Sequence, residues 1–331
     1  MGVRYAIFLS LTKHRESTLR NPGEELYLLR DGHRIFYRQW VSNQPDQARA
    51  NVLIAHGMGE HSARYGELAA ALTHANFNVL APDLRGHGRS LPALSVPGDM
   101  GHNGWQETLA DLAFLEQWMT DARPLPAILF GHSMGAMLAQ QYIYTRGHKL
   151  HAMVLSGSPG VFPKVPAIVL GALARFDAWR LTPASPSPLI SANLFRNNNK
   201  KFERAGDGDG GFAWLSRDKA RVAAYRDDPL CGSVLSAGGL AGMFASQARC
   251  AAPRNIQRIG KHIPIYLFAG ADDPINSEGK GLRHLQRRYT QTGLKADLKL
   301  YPEGRHEMLN ELNKNEVVED LLNWLERVAN V

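Results

Sequence analysis

The chain reads as an α/β protein with a mainly parallel central sheet, helices on both faces and an inserted, largely helical cap. Three observations predict this. Seven short apolar runs alternate with helical periods along most of the sequence, the alternation stops between residues 160 and 253, and one run leads straight into Gly131-His132-Ser133-Met134-Gly135. Strands that alternate with helices build parallel sheets covered on both sides. A long break without a buried-strand pattern marks an insertion.

The predicted strands are 34–40, 51–55, 77–81, 127–130, 153–156, 264–269 and 296–301. Most are rich in Val, Ile and Leu and apolar on both faces, as strands between two helical layers are. Among the helical segments, 65–74 places Leu68 and Leu72 one turn apart. The segment 105–119 sets Trp105, Leu109, Leu112 and Leu115 along one face, and 316–328 does so with Val317, Leu321, Leu325 and Val328. The interrupted stretch is rich in Pro, Gly and aromatic residues, Phe162, Phe195, Phe212 and Trp214 among them. The chain thus divides into an N-terminal extension (1–24), a sheet core (25–159 and 254–331) and a cap (160–253). Such a cap sits over the C-terminal edge of the sheet, where open α/β folds bind ligands. No internal repeat is present.

Composition narrows the function classes. The 331 residues are 44% hydrophobic and 21% charged, ordinary for a globular protein with a sizeable core. The two cysteines, Cys231 and Cys250, fit neither a C-x-x-C nor a metal-ligand spacing. Their number excludes a disulfide framework, leaves one bridge open, and suits a reducing, cytoplasmic setting. The net charge of +7 either draws the protein to anionic surfaces, phospholipid membranes included, or serves solubility. Asn199-Lys200-Lys201 is too short for a nucleic-acid tract, so no nucleic-acid partner is expected. The apolar run 5–11 lacks a signal-cleavage pattern and is far too short to span a membrane. It reads as a terminal extension or surface-associating segment, with an uncleaved targeting role as the alternative, and the expected location is the cytoplasm, free or peripheral to a membrane. Asp207-Gly208-Asp209-Gly210-Gly211 lacks the later bidentate acid of a calcium loop and reads as a turn.

The chemistry centres on Ser133. G-x-S-x-G behind a buried strand is a sharp strand-to-helix turn that lifts its serine above the sheet edge. Glycines on both sides remove side chains that would strike the neighbouring strand and helix. A neutral hydroxyl needs a base to become a nucleophile. Downstream, one strand ends in Gly270-Ala271-Asp272-Asp273-Pro274-Ile275 and the last in Pro302-Glu303-Gly304-Arg305-His306-Glu307. His306 is the candidate base, because it alone of the 13 histidines follows the last strand. A carboxylate, Asp272 or Asp273, would fix its tautomer. The backbone N–H groups of Met134 and of Met58, in His56-Gly57-Met58-Gly59, are the candidates for an oxyanion hole. No metal or organic cofactor is called for.

Three segments resemble the monoacylglycerol lipase and lysophospholipase group of α/β-hydrolases, the serine aminopeptidase S33-like family. They are the loop from His56 through Glu60, His61 and Arg64 to Tyr65, the loop Asp83-Leu84-Arg85-Gly86-His87-Gly88-Arg89-Ser90, and the elbow itself. Trp214-Leu215-Ser216-Arg217-Asp218, Tyr225 and Asp228-Pro229-Leu230-Cys231 are similar to cap segments of bacterial members. The resemblance implies the α/β-hydrolase fold, an acyl tunnel beneath the cap and hydrolysis of a carboxylic ester. It favours Asp273, ahead of Pro274, over Asp272, which becomes a turn residue satisfying backbone N–H groups. It puts Glu60 and Arg64 at the polar end of the substrate site or in support of the loop, and has Asp83 and Arg85 brace the floor. Where some monoacylglycerol lipases carry a second histidine, this chain has Leu309. The expected reaction is cleavage of a lysophospholipid or monoacylglycerol through an acyl-enzyme on Ser133, the positive charge leaning toward the former. The alternatives are a short-chain esterase, amidase or thioesterase on the same triad, and a lipid-binding protein without catalysis.

Overall fold

The computed structural model describes residues 23–92, 95–204 and 209–329. The strands are β1 (Glu24–Arg30), β2 (His33–Trp40), β3 (Ala50–Ala55), β4 (Phe77–Pro82), β5 (Ala127–His132), β6 (Leu150–Ser156), β7 (Ile265–Gly270) and β8 (Ala296–Tyr301). They form one sheet in the order β1-β2-β4-β3-β5-β6-β7-β8. β2 runs antiparallel to both β1 and β4, and every pairing from β4 to β8 is parallel.

The helices are α1 (Gly66–His74), α2 (Gly104–Ala122), α3 (Met134–Thr145), α4 (Lys164–Arg180), α5 (Pro188–Arg204), α6 (Lys219–Asp227), α7 (Ala237–Cys250), α8 (Pro253–Ile256), α9 (Lys280–Gln291) and α10 (Lys314–Ala329). Two apolar cores flank the sheet, and the period-2 geometry of the strands feeds both. In β5, Ile128 and Phe130 join Leu68 and Leu72 of α1 and Leu321 and Trp324 of α10. Leu129 points the other way, to Leu112 of α2, Leu138 of α3 and Leu285 of α9. Each such fully buried side chain stabilises the fold by roughly 1.5–3 kcal/mol relative to exposure.

All seven predicted strands form. The sequence reading missed β1, an edge strand whose residues Glu24, Glu25 and Leu29 face solvent, so its alternation is blurred. It also missed α9, in which only Leu282, Leu285 and Tyr289 are buried among Lys, Arg, His and Gln.

Between β6 and β7 the chain leaves the sheet for α4 to α8. Local chemistry sets the helix starts here: the Asp218 side chain accepts hydrogen bonds from Ala220 and Arg221 N–H at α6, and Ser236 accepts one from Gly239 N–H at α7. Cys231 and Cys250 are free thiols. Among the described residues no helix is long and apolar enough to cross a membrane. The 5–11 run and part of the Asp207–Gly211 tract lie outside the described residues.

Candidate active site

The turn after β5 places Ser133 at φ 51°, ψ −112°, a conformation that only tight local packing sustains. A Cβ on Gly131 would lie 2.4 Å from Gly135 O, and one on Gly135 would lie 1.9 Å from Ala55 O. Only glycine permits that approach, which seats the start of α3 directly against the exit of β3.

The loops after β7 and β8 complete the arrangement. His306 Nε2 is 2.9 Å from Ser133 Oγ, and His306 Nδ1 is 3.0 Å from Asp273 Oδ2. Asp273 is fully buried, accepting from Ile275 N–H at 2.9 Å and from Asn276 Nδ2 at 2.8 Å. The structure thus brings Ser133, His306 and Asp273 together and leaves Asp272 out. Asp272 is half-exposed and pairs with Lys201 at 3.0 Å; it is Asp273, not Asp272, whose carboxylate holds the turn's backbone.

Burial alone would lower the His306 pKa, but the Asp273 carboxylate, with Glu307 and Glu60 behind it, raises it above the ordinary value. The ring lies between Trp214, 4.9 Å away, and His132, 5.0 Å away, centroid to centroid. His132 itself accepts no second charge. Burial, with His306 adding to it, pushes its pKa down to about 4 despite Glu60, and its Nδ1 pairs with Ser156 Oγ at 3.1 Å.

Met58 and Met134 both line the cavity in front of Ser133. A Cβ on Gly57 would come within 3.2 Å of Ser133 Cβ, so the loop packs against the Ser133 side chain. Glu60 holds that loop from beneath, accepting from Gly57 N–H at 2.5 Å, Tyr65 Oη at 2.8 Å and Arg64 Nη1 at 2.6 Å. Burial would raise the Glu60 pKa, yet the Arg64 guanidinium, with the Gly57 N–H, holds it below the ordinary carboxylate value. Arg64 forks onto Glu307 at 2.7 and 2.6 Å and lies over the Tyr225 ring. Glu60 lines the cavity and Arg64 does not. Asp83 accepts from Ser62 and Arg89 N–H beneath the same loop, whereas Arg85 turns away and pairs with Asp111 of α2.

The cavity measures about 260 Å³. Its walls beyond Ser133 include Met137, Val161, Phe162, Leu170, Met243 and Phe244, an apolar stretch suited to a hydrocarbon chain. Trp214, Asn276 and Glu307 belong to the site, and the sequence reading assigned them no role. Asn276 carried a faint signal, three residues after Asp273 in one turn. Trp214 stood in a segment similar to cap segments of bacterial members, with nothing there to tie it to His306, and Glu307 carried no signal, because its contact with Arg64 exists only in three dimensions.

The sequence profile of the family described as serine aminopeptidase, S33, matches residues 46–313. The chain is 30% identical over 314 residues to a monoacylglycerol lipase of Mycolicibacterium smegmatis, covering 89% of this chain and 93% of that protein. It is 28% identical over 301 residues to the human monoglyceride lipase, covering 89% and 88%. Among solved structures it is similar to a highly thermostable carboxyl esterase from Bacillus coagulans in complex with glycerol. That match has a TM-score of 0.84 and 26% identity, and covers 92% of this chain and 98% of the other.

Proposed function

The chain belongs to the serine aminopeptidase S33 family of α/β-hydrolases, and we propose that it hydrolyses the acyl ester of a monoacyl lipid, a monoacylglycerol ahead of a lysophospholipid. The observation that carries this is the Ser133–His306–Asp273 relay at the foot of an apolar cavity. Ser133 Oγ attacks the acyl carbonyl carbon as its proton passes to His306 Nε2. The Met58 and Met134 N–H groups stabilise the oxyanion. His306 returns the proton to the departing glycerol oxygen, leaving an acyl-enzyme that a water, deprotonated by the same nitrogen, hydrolyses.

The head-group preference follows from charge. Among the described residues no Lys or Arg lines the cavity, while two carboxylates that do, Glu60 and Glu307, share the single positive charge of Arg64 and leave that end net negative. A phosphodiester would meet repulsion there and a glycerol would not. This revises the lean toward lysophospholipid that net charge alone supported. The names of the lipase relatives point the same way.

We read the 160–253 segment as a cap whose outer face meets a lipid surface. Val165, Ile168, Val169, Phe176 and Trp179 of α4 are exposed, while Phe162, Pro163 and Leu170 beside them line the cavity. A helix apolar on its outward face is suited to lie in a membrane interface. Long-range attraction from a +7 protein would add to it on anionic lipid.

The test is fluorophosphonate labelling mapped by mass spectrometry, with Ser133→Ala as control, followed by turnover of a long-chain monoacylglycerol, lysophosphatidylcholine and p-nitrophenyl acetate. Labelling at Ser133 with the monoacylglycerol fastest supports the reading. Preference for lysophosphatidylcholine overturns the head group, and preference for the acetate overturns the acyl class. A folded protein that binds lipid but does not label is a binding protein instead.

A further inference from the structure

His56 sits at the end of β3, fully buried, in the loop that carries Met58. Its two ring nitrogens meet partners of fixed character. Leu84 N–H reaches Nε2 at 2.8 Å, and a backbone N–H can only donate, so Nε2 accepts. A neutral imidazole then carries its proton on Nδ1, which lies 2.7 Å from Gly57 O. The ring is held neutral: burial lowers its pKa, outweighing the carboxylates of Glu60 and Asp83. His87 packs edge-on against it with centroids 5.2 Å apart, and burial pushes the His87 pKa down to about 4.

The Gly57 carbonyl and the Met58 N–H belong to one planar trans peptide, so they point in opposite directions. Drawing the carbonyl toward His56 turns the N–H toward the cavity that Met58 and Ser133 line. Glu60 grips the peptide before it through Gly57 N–H. Two consecutive peptides are thus held by two buried side chains. We infer that His56 is a positioning residue: its Nδ1–H tautomer locks the Gly57–Met58 peptide in the orientation that offers Met58 N–H to the oxyanion. The inference rests on the reading of Met58 as an oxyanion donor. A peptide free to rotate would bring lone pairs where a donor is needed, so the lock acts on kcat and hardly on ground-state binding.

Two half-mimics of the imidazole test it. His56→Asn keeps an amide donor at the place of Nδ1, and His56→Gln keeps an acceptor for Leu84 at the place of Nε2. The Gln variant is expected to lose on the order of 10²-fold in kcat with little change in KM, as for loss of one oxyanion donor. The Asn variant should stay within about tenfold of wild type, and fluorophosphonate labelling rates should follow the same split. Equal losses in both variants that track their melting temperatures would reduce His56 to a structural part and overturn the inference. Should neither variant fold, ¹⁵N NMR of the wild-type imidazole decides: an Nδ1–H tautomer is expected, and an Nε2–H tautomer overturns it. A wild-type protein that neither labels nor hydrolyses esters would instead overturn the parent reading, while the tautomer spectrum still reports on the lock.

Discussion

Two histidine–carboxylate pairs in this molecule have the same separation. His306 and Asp273 are 3.0 Å apart, and so are His61 and Asp228. In the first pair the side chains are 2% and 0% exposed, in the second 10% and 31%. The first stands on loops after neighbouring strands of one rigid sheet, and its other ring nitrogen meets Ser133. The second joins the loop after β3 to the segment between α6 and α7, and its carboxylate also accepts from Leu230 N–H. Distance therefore does not distinguish chemistry from attachment. Burial, a rigid frame and a third group on the free nitrogen do.

The comparison is tested most severely at its first member. Ser133→Ala and His306→Ala should each lower kcat on a monoacylglycerol by about 10⁴-fold or more, with the fold retained by circular dichroism. Near-full activity in either would remove the relay from the mechanism. Asp273→Asn follows, at roughly 10³–10⁴-fold, because an amide in its place no longer fixes the tautomer or offsets the imidazolium. Asp272→Asn, which loosens only the half-exposed contact to Lys201, should stay within about twofold. A reversal of these two effects would transfer the acid to Asp272.

Next in size is the buried cluster behind the relay. Arg64 serves both Glu60 and Glu307, whose side chains are 4% and 7% exposed. Arg64→Leu strands two carboxylates and should cost about 3–5 kcal/mol in denaturant unfolding. A cost under about 1 kcal/mol would make the cluster no more than a surface pair.

A smaller effect is readable in pH. In the proposed mechanism the base must be neutral, and Asp273 raises the His306 pKa, so kcat/KM should rise with pH and reach half its plateau above 6.5. Stability runs the other way. A raised folded-state pKa means that the pair's contribution is full below the unfolded value and is lost as pH climbs through the folded one. In the residual activity of Asp273→Asn, only Glu307 and Glu60 are left to oppose burial, and the midpoint should move down. A midpoint that stays put would mean that another group sets the limb.

Much of this was legible in the sequence, for physical reasons. Strands closed in by two helical layers must be apolar throughout, so 127–130 and 51–55 announced themselves. The elbow's geometry tolerates only glycine at 131 and 135, which makes it readable as letters. The choice between Asp272 and Asp273 was not readable from the residues themselves, since both side chains suit the turn and only the fold decides which faces His306. The tautomer of His56 was hidden for the same reason: it depends on Leu84, 28 residues away in sequence. Arg85 misled because its partner, Asp111, sits mid-helix in α2 with nothing in the local pattern to mark it.

The second pair supplies the finest test. Asp228→Asn keeps the oxygen that accepts from Leu230 N–H but removes the charge opposite His61. With the carboxylate about a third exposed, solvent screens the pair, and the loss should be at most about 1 kcal/mol. The Asp228 pKa is itself held low, the His61 contact and Leu230 N–H overcoming burial. Its stabilisation is therefore present above the unfolded aspartate value and fades as pH falls through the folded one, which an Asn variant should not show. Turnover of a small soluble ester should change by less than about threefold, because nothing in the relay passes through His61. If Asp228→Asn instead matched Asp273→Asn in kcat, attachment of the segment between α6 and α7 would be part of the chemical step, and the contrast between the two pairs would collapse.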